Sequence, residues 1–377
     1  MRIGDYVQVV RETDALHANG RSLAVRRYGL FGQVGGLLEL VKKQQREAQL
    51  GRVQASLLEE IGDITWYVVA LARQLALNPE ALFADAAKLL GAEVSGGLET
   101  FDELDNACLT VQVEEDGDAL LHKLAVRAGA ILSISPTDTD QSDALIALVA
   151  GLLSVALYEQ LAMAEAVRLN VNKTRNRWRP PDASYGPPLD SRARPHERFP
   201  EELRFDFIGR DRFVYLQING INVGDRLTDN STKPDGYRFH DGFHIAYAVY
   251  LGWSPVLRAL LKLKRKSLPD VDENQDGARA IIIEEGVATW IFNHATSEDN
   301  DCYRNVKSGQ LPYRLLKQVS QMTRGFEVDA RPMWQWEQAI LNGFRVFRHL
   351  RHAGKGSVVA RFHSHELVFE PLSEVVS

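Results

Sequence analysis

The sequence predicts a mainly α protein of two domains, and three observations carry this prediction. Apolar residues recur at spacings of three and four through most of the 377-residue chain, as they do in helices that bury one face. Strand-like alternation is confined to short stretches of the second half. A chain of this length also exceeds what one hydrophobic core usually organises, so two domains are expected.

The first domain, residues 1–178, is predicted to be an all-α bundle. Residues 135–137 interrupt the pattern before a long final helix. Residues 30–38 match residues 124–132 in their apolar and small positions, and residues 63–75 match 149–161, which predicts a tandem helical repeat with a degenerate second copy. The segments with helical periodicity are 22–45, 54–75, 79–90, 117–134 and 140–177.

Residues 179–200 contain six prolines between periodic segments and are predicted to form a Pro-rich linker. The second domain, residues 201–377, is predicted to be mainly α with a little β. Strands are expected within 212–223, and a closing hairpin is expected over 356–371. The predicted helices of this domain are 237–251, 255–264, 278–294, 312–322 and 333–350.

Composition restricts the partners and the compartment. The net charge of −6 argues against general nucleic-acid binding, which relies on Lys and Arg to neutralise phosphates. Only two cysteines, Cys108 and Cys302, are present, so no disulfide framework is expected and a reducing cytoplasm fits best. We find no signal peptide and no apolar run of 18 residues, and therefore expect no membrane span.

An acidic patch is predicted on the helix over residues 54–75. Glu60 and Asp63 are three residues apart and share one helix face, with Glu59 beside them. Carboxylates of this kind suit Mg²⁺, a hard cation that often bridges protein carboxylates to substrate phosphates. The alternative interpretation is an ordinary solvated helix face.

Residues 58–67, LEEIGDITWY, resemble the EExGDxxWY segment of the MazG-like all-α nucleoside triphosphate pyrophosphohydrolases. Residues 32–38, GQVGGLL, resemble the segment that carries the first acidic pair of that family. Further along, Asn170 and Lys173 followed by Arg177 are similar to its Asn-x-x-Lys-x-x-x-Arg ending. The resemblance covers residues 22 to 178.

The resemblance implies cleavage of (d)NTP to (d)NMP and pyrophosphate with Mg²⁺ or Mn²⁺, in a site that family members commonly assemble between subunits of a homodimer. It assigns catalysis to Glu59, Glu60 and Asp63. The implied metal ligands are Glu39, Glu60 and Asp63. The implied phosphate-binding residues are Asn170, Lys173 and Arg177.

The chain departs from the family pattern in its first motif. Where the family carries Glu-x-x-Glu, this chain has Gln33 and Gly36, and Glu39 lies one helical turn away. The loss of two negative charges weakens the binding of a divalent cation. A second hypothesis therefore keeps the fold as a nucleotide-sensing module that controls the C-terminal domain.

A second polar cluster is predicted in the C-terminal domain. His240 and His244 lie four apart on one predicted helix with Asp241 between them, and Glu284 and Glu285 lie on another. Two such histidines can bind Zn²⁺ when a carboxylate from a second helix completes three protein ligands. The pattern is loosely similar to zincin metallohydrolases, in which the residue after the first histidine is the general base.

This cluster supports a third hypothesis, a metal-dependent hydrolase in the C-terminal domain. The alternative is a pair of structural histidines that hydrogen-bond within a helical core. As a whole, the domain resembles the C-terminal region that is fused to some MazG-type proteins, and that resemblance implies no specific activity.

Overall fold

The computed structural model describes residues 1–14, 22–46, 53–94, 96–133, 141–297 and 300–372. The chain forms two compact units, Met1–Arg175 and Asn176–Ser377. The fold is mainly α with one small sheet, which confirms the predicted fold class. Residues 134–140 lie outside the described residues, and with them the interruption predicted at 135–137.

Helices account for the regular structure of the first half. The packed neighbours are α2 with α3, α6 with α7, and α2 with α6. Two packed helical pairs are what a tandem repeat would produce, and the equivalence of the pairs stays a prediction. The helices are α1 Ile3–Thr13, α2 Ser22–Arg46, α3 Val53–Gln74, α4 Pro79–Leu89, α5 Phe101–Cys108, α6 Gly117–Ser133, α7 Gln141–Tyr158 and α8 Met163–Arg177.

The single long helix predicted over 140–177 is wrong, because the chain turns between α7 and α8. Gln160 adopts a left-handed conformation with φ of 55°. The Leu161 amide donates to the Ala156 carbonyl at 2.8 Å, the bond that closes a Schellman motif at a helix C-terminus. The Asp105 carboxylate then accepts from the first two amides of α8. This capping residue is remote in sequence, so helical periodicity could not reveal the break.

Helix α7 is the element that bears on the predicted absence of a membrane span. Among the described residues it is the one helix long and apolar enough to cross a membrane. Leu148 and Leu152 are nevertheless fully buried against other helices of the first unit. This burial is typical of a core helix, and we interpret α7 as one.

Helices α3 and α8 approach closely at Gly62. A Cβ at Gly62 would lie 2.6 Å from the Ala166 carbonyl oxygen and 3.0 Å from Asn170 Cβ. We expect Gly62→Ala to lower the free energy of unfolding by about 1–3 kcal/mol, because the backbone of α8 must move. Gly35→Ala is the control, since a Cβ there meets nothing within 4 Å; it should stabilise α2 by about 0.5–1 kcal/mol. Equal unfolding midpoints for the two variants would contradict this interpretation.

The second unit combines a five-stranded antiparallel sheet, in the order β3-β2-β1-β4-β5, with further helices. The strands are β1 Glu202–Arg210, β2 Phe213–Ile218, β3 Ile221–Asn222, β4 Gly356–Arg361 and β5 Glu366–Glu370. The helices are α9 Asp241–Leu251, α10 Pro255–Leu260, α11 Pro269–Asn274, α12 Ala278–Ala295, α13 Tyr313–Met322 and α14 Met333–Ala353.

The predicted strands and the closing hairpin are confirmed by β2, β3, β4 and β5. The central strand β1 lies outside the predicted strand region, and its apolar face is formed by buried Phe205 and Phe207 with half-buried Leu203. Helix α9 is buried along its whole length and packs against both α14 and β4. Side chains at its N-terminal end are therefore held on a rigid, desolvated support.

Residues 179–200 lie in the second unit and pack against its core. They contain a 3₁₀ turn, Pro195–Glu197, and Asp190 is buried. Its carboxylate accepts from Arg258 Nη2 at 2.8 Å and from the Phe199 amide at 2.9 Å. These contacts fix the segment against α10.

Candidate functional site

The acidic residues of α3 meet a lysine from α8. Lys173 Nζ lies 2.5 Å from Asp63 Oδ2 and 2.8 Å from Glu59 Oε1. The Asn170 side-chain amide donates to Asp63 Oδ1 at 2.9 Å, and the Tyr6 hydroxyl donates to the Asn170 side-chain oxygen at 2.9 Å. Four of the predicted site residues are thus brought together, and Tyr6 is a supporting residue that the sequence did not reveal.

Lys173 supplies the positive charge of this cluster. Burial alone would lower the pKa of its ammonium group, but Asp63 and Glu59 outweigh burial and raise that pKa. Lys173 therefore stays protonated at neutral pH. It lies against Asp63, which the family resemblance assigns to a divalent cation, and against Glu59, which the resemblance assigns to catalysis.

Gly36 lies opposite Glu60 across the α2–α3 contact. A Cβ at Gly36 would lie only 2.9 Å from Glu60 Oε2, so a larger residue there would push against this carboxylate. Glu39 is partly exposed and pairs with Lys42 and with Lys43, the latter at 3.7 Å. Within the described ranges, Glu39, Glu60 and Asp63 do not form a group of ligand atoms within 4.8 Å of one another.

The residues of this cluster do not fit a magnesium centre as they are arranged. Gln33 is half-buried and, with Gly36, leaves α2 without the two carboxylates of the family motif. The ammonium of Lys173 contacts the carboxylates of Asp63 and Glu59. A divalent cation at this position would have to displace Lys173.

Arg177 belongs to the second unit and has its polar partners there. Its buried guanidinium forms an ion pair with Glu337 at 3.2 Å and donates to the Gly309 and Leu311 carbonyls at 3.1 and 2.5 Å. In the described part of the chain, the polar contacts of this side chain are with Glu337 and with these two backbone carbonyls. The Arg177 guanidinium is therefore engaged by Glu337 and two backbone carbonyls, where the resemblance implied a phosphate.

The second cluster converges as the sequence predicts. His240 and His244 project from the start of α9, and Glu285 projects from α12. Their candidate ligand atoms all lie within 4.8 Å of one another, which no other group of three His, Cys, Asp or Glu residues does in the described ranges. A spacing of four residues on a helix, plus one carboxylate from a second helix, is a ligand set that transition metals bind.

Each histidine is oriented through its Nδ1 atom. His240 Nδ1 is 2.9 Å from the Tyr237 carbonyl oxygen, and His244 Nδ1 is 2.8 Å from Glu284 Oε1. A carbonyl oxygen can only accept, so the proton of neutral His240 is on Nδ1. When each ring is neutral, its Nε2 lone pair is left for a ligand, as in histidines that bind metals, so a metal that binds His244 would displace the proton from Nε2. His244 Nε2 is buried and makes no hydrogen bond within the described part of the chain.

Glu284 orients His244 instead of joining the candidate ligands. Its carboxylate is fully buried and also accepts from the Ser254 hydroxyl at 2.6 Å and the Val256 amide at 2.8 Å. The sequence did not show which of Glu284 and Glu285 is the candidate metal ligand. In the structure, Glu284 orients His244 and Glu285 is the candidate ligand. The Ser254-Pro255 pair is a helix N-cap signature, which signals α10 but not its contact with Glu284.

The electrostatics of the centre favour a positive charge. Burial would lower the pKa of His244, yet Glu284 and Glu285 outweigh burial and raise that pKa to about 10. Burial lowers the pKa of His240. Asp241 is also buried, with Oδ1 3.9 Å from His240 Nε2. Three carboxyl groups around two imidazoles suit a dication.

The centre reaches solvent on the side of Glu285, whose side chain is 40% exposed. The Tyr237 ring stacks on His240 with centroids 4.4 Å apart, and its hydroxyl shares a hydrogen bond with Thr289 at 2.8 Å. The buried histidines thus meet a polar opening. Thr289 lies one helical turn beyond Glu285 on α12, and sequence reasoning missed it.

Comparison with known proteins assigns the family of the chain. A family model of the MazG C-terminal domain matches residues 184–373. Searches of the curated proteins and of the solved structures find no match. The matched region leaves out residues 22–178, so their resemblance to the pyrophosphohydrolases stays a prediction. Because the match covers just over half of the chain, the protein belongs to the MazG C-terminal domain family.

Proposed function

We propose that the protein is a metal-dependent hydrolase whose centre is formed by His240, His244 and Glu285. The observation that carries the proposal is the convergence of these three residues with both Nδ1 atoms already bound to acceptors. A structural pair of histidines would not need a third ligand group at this distance. Zn²⁺ is the metal that this set of nitrogen and oxygen ligands favours.

His240, His244 and Glu285 would hold the metal, and the metal would supply an activated water as the nucleophile. The chain contributes the remaining parts. Glu284 fixes the His244 ring, and Asp241 lies close enough to His240 to act as a base beside the centre. Exposed Glu285 marks the side from which a substrate enters.

A MazG-related domain suggests a nucleotide-related function, and we propose that the substrates are nucleotides or their phosphorylated derivatives. Both cysteines are free and buried, which agrees with the proposed cytoplasmic location.

Hydrolysis of a panel of nucleotides by the full chain with added Zn²⁺, Mn²⁺ or Mg²⁺ tests this function. We expect His244→Ala to abolish turnover and Asp241→Asn to reduce it by about 100-fold, within the range of general-base catalysis. His352→Ala, an exposed histidine on α14, is the control and should leave turnover unchanged. Turnover that survives His244→Ala would place the chemistry elsewhere.

A second candidate function is nucleoside triphosphate pyrophosphohydrolysis in the N-terminal unit. It is favoured by the approach of Lys173 and Asn170 to Glu59 and Asp63, because these are positions of the family motifs. It requires that Mg²⁺ or Mn²⁺ displace Lys173. Nucleotide binding without turnover would instead make this unit a sensing module for the C-terminal domain.

Pyrophosphate release distinguishes the two centres. If Asp63→Ala abolishes release from NTPs or dNTPs and His244→Ala does not, the N-terminal unit is the enzyme. The opposite pattern would assign the activity to the C-terminal centre.

A further inference from the structure

Two adjoining cavities in the second unit belong to neither candidate centre. Their volumes are about 640 and 390 Å³, and Tyr185, Tyr250 and His365 line both. Ligand pockets of small molecules fall in this size range. We call the two together the basic groove.

Basic side chains dominate the larger cavity. Arg179, Arg345, His349 and His365 line it, against one carboxylate, Glu366. That carboxylate already forms an ion pair with Arg361 at 2.5 Å, and Arg361 is not a lining residue. The larger cavity therefore carries an excess of positive charge.

The arginines of the groove have carbonyl partners instead of carboxylates. Arg345 donates to the Leu367 carbonyl at 2.8 Å, and Arg179 donates to the Ala183 carbonyl at 3.3 Å. Arg331, in the smaller cavity, donates to two backbone carbonyls. In the described ranges, none of these three guanidinium groups lies within 4.0 Å of a carboxylate. Each keeps N–H donors and a full charge for a ligand.

The groove is held in place by its own contacts. His365 Nδ1 bonds the Val249 carbonyl at 2.7 Å, and its ring stacks on Tyr185 with centroids 3.7 Å apart. The Arg179 guanidinium lies over the Trp334 ring at 5.1 Å. Burial lowers the pKa of His365, and nearby Arg331 lowers it further, as expected where positive charge is in excess.

We propose that the basic groove binds a phosphorylated ligand, with its phosphate oxygens on Arg345, Arg179 and His349. Planar guanidinium groups match phosphate oxygens in a bidentate geometry, and several cations around one cavity suit a ligand with more than one negative charge. Helix α9 joins this groove to the metal centre, because Tyr250 lies near its C-terminal end and His244 near its N-terminal end. The proposal does not depend on a metal being bound.

Calorimetric titration of the full chain with pyrophosphate, AMP and ATP tests the proposal. The chelator EDTA is present throughout, so that no metal at the His240 centre contributes to binding. We expect pyrophosphate or ATP to bind, and Arg345→Ala and His349→Ala each to weaken binding about tenfold or more, as charge-assisted bonds require. Arg314→Ala removes an equal charge from an exposed position of α13 and should leave affinity unchanged.

Tight binding of pyrophosphate alone would identify the phosphate groups as sufficient. Binding of ATP but not pyrophosphate, still weakened by Arg345→Ala, would identify a nucleotide as the ligand. The proposal is overturned if none of the three ligands binds, or if Arg345→Ala and Arg314→Ala bind equally well while both keep the wild-type melting temperature. If the chain hydrolyses nucleotides but the groove binds none of these ligands, only the groove proposal fails. If the groove binds a ligand but the chain hydrolyses nothing, only the proposed function fails.

Discussion

Asp276→Ala is expected to lower the free energy of unfolding of the second unit by about 3–5 kcal/mol, the usual result of removing one partner of a buried ion pair. Asp276 is fully buried. Its carboxylate accepts from the Arg265 amide at 2.8 Å, from Nε at 3.0 Å and from Nη2 at 2.7 Å. It also lies 3.9 Å from the Arg258 guanidinium.

The variant would leave two buried guanidinium groups with fewer anions. Glu327 still contacts Arg265 at 2.5 Å. Because this anion remains, we do not expect the loss of stability to exceed the stated range. Chemical denaturation followed by circular dichroism measures the change. Glu273→Ala, an exposed residue of α11, is the control and should change stability by less than about 0.5 kcal/mol. Equal midpoints for the two variants would show that the buried network contributes little to stability.

Glu284→Gln is expected to raise the dissociation constant for Zn²⁺ by about 10- to 100-fold, the usual effect of losing an orienting outer-shell residue. Gln keeps the volume of the side chain but removes the charge that His244 Nδ1 contacts at 2.8 Å. Its amide group would also turn a donor toward the Ser254 hydroxyl or the Val256 amide, both of which now donate to Glu284.

Competition with a colorimetric zinc chelator measures the affinity, and the melting temperature of each variant shows that it is folded. Glu273→Gln, with the same change of charge at an exposed site, should bind Zn²⁺ as the wild type does. If folded Glu284→Gln also binds Zn²⁺ with wild-type affinity, Glu284 is a structural residue and does not orient a ligand.

Most of the helical fold could be predicted from periodicity. The helix predicted over 22–45 is α2, Ser22–Arg46, and the one over 278–294 is α12, Ala278–Ala295. The strand β1 was missed because it is defined by a long-range contact: it pairs with β4, about 150 residues away in sequence. The short helix α11 was missed because its six residues bury no apolar face.

The residues of the candidate sites could likewise be predicted only where a local sequence pattern determines their positions. The approach of His240 to His244 follows from their spacing on one helix, which the sequence contains. The separate roles of Glu284 and Glu285 depend on where α10 meets α12, and no local pattern encodes that contact. Arg177 fits the family spacing, yet its side chain pairs with Glu337, which lies 160 residues away.

The most direct test of the proposed metal centre is a Zn²⁺ titration of the chelator-stripped full chain by calorimetry, with His240→Ala, His244→Ala and the exposed control His352→Ala alongside. We expect one high-affinity site per chain, retained in His352→Ala and weakened by at least about 100-fold in the other two variants, since each loses one of three protein ligands. A wild-type chain that binds no Zn²⁺ at micromolar concentrations, or that binds it equally well without His240 and His244, would contradict the proposal.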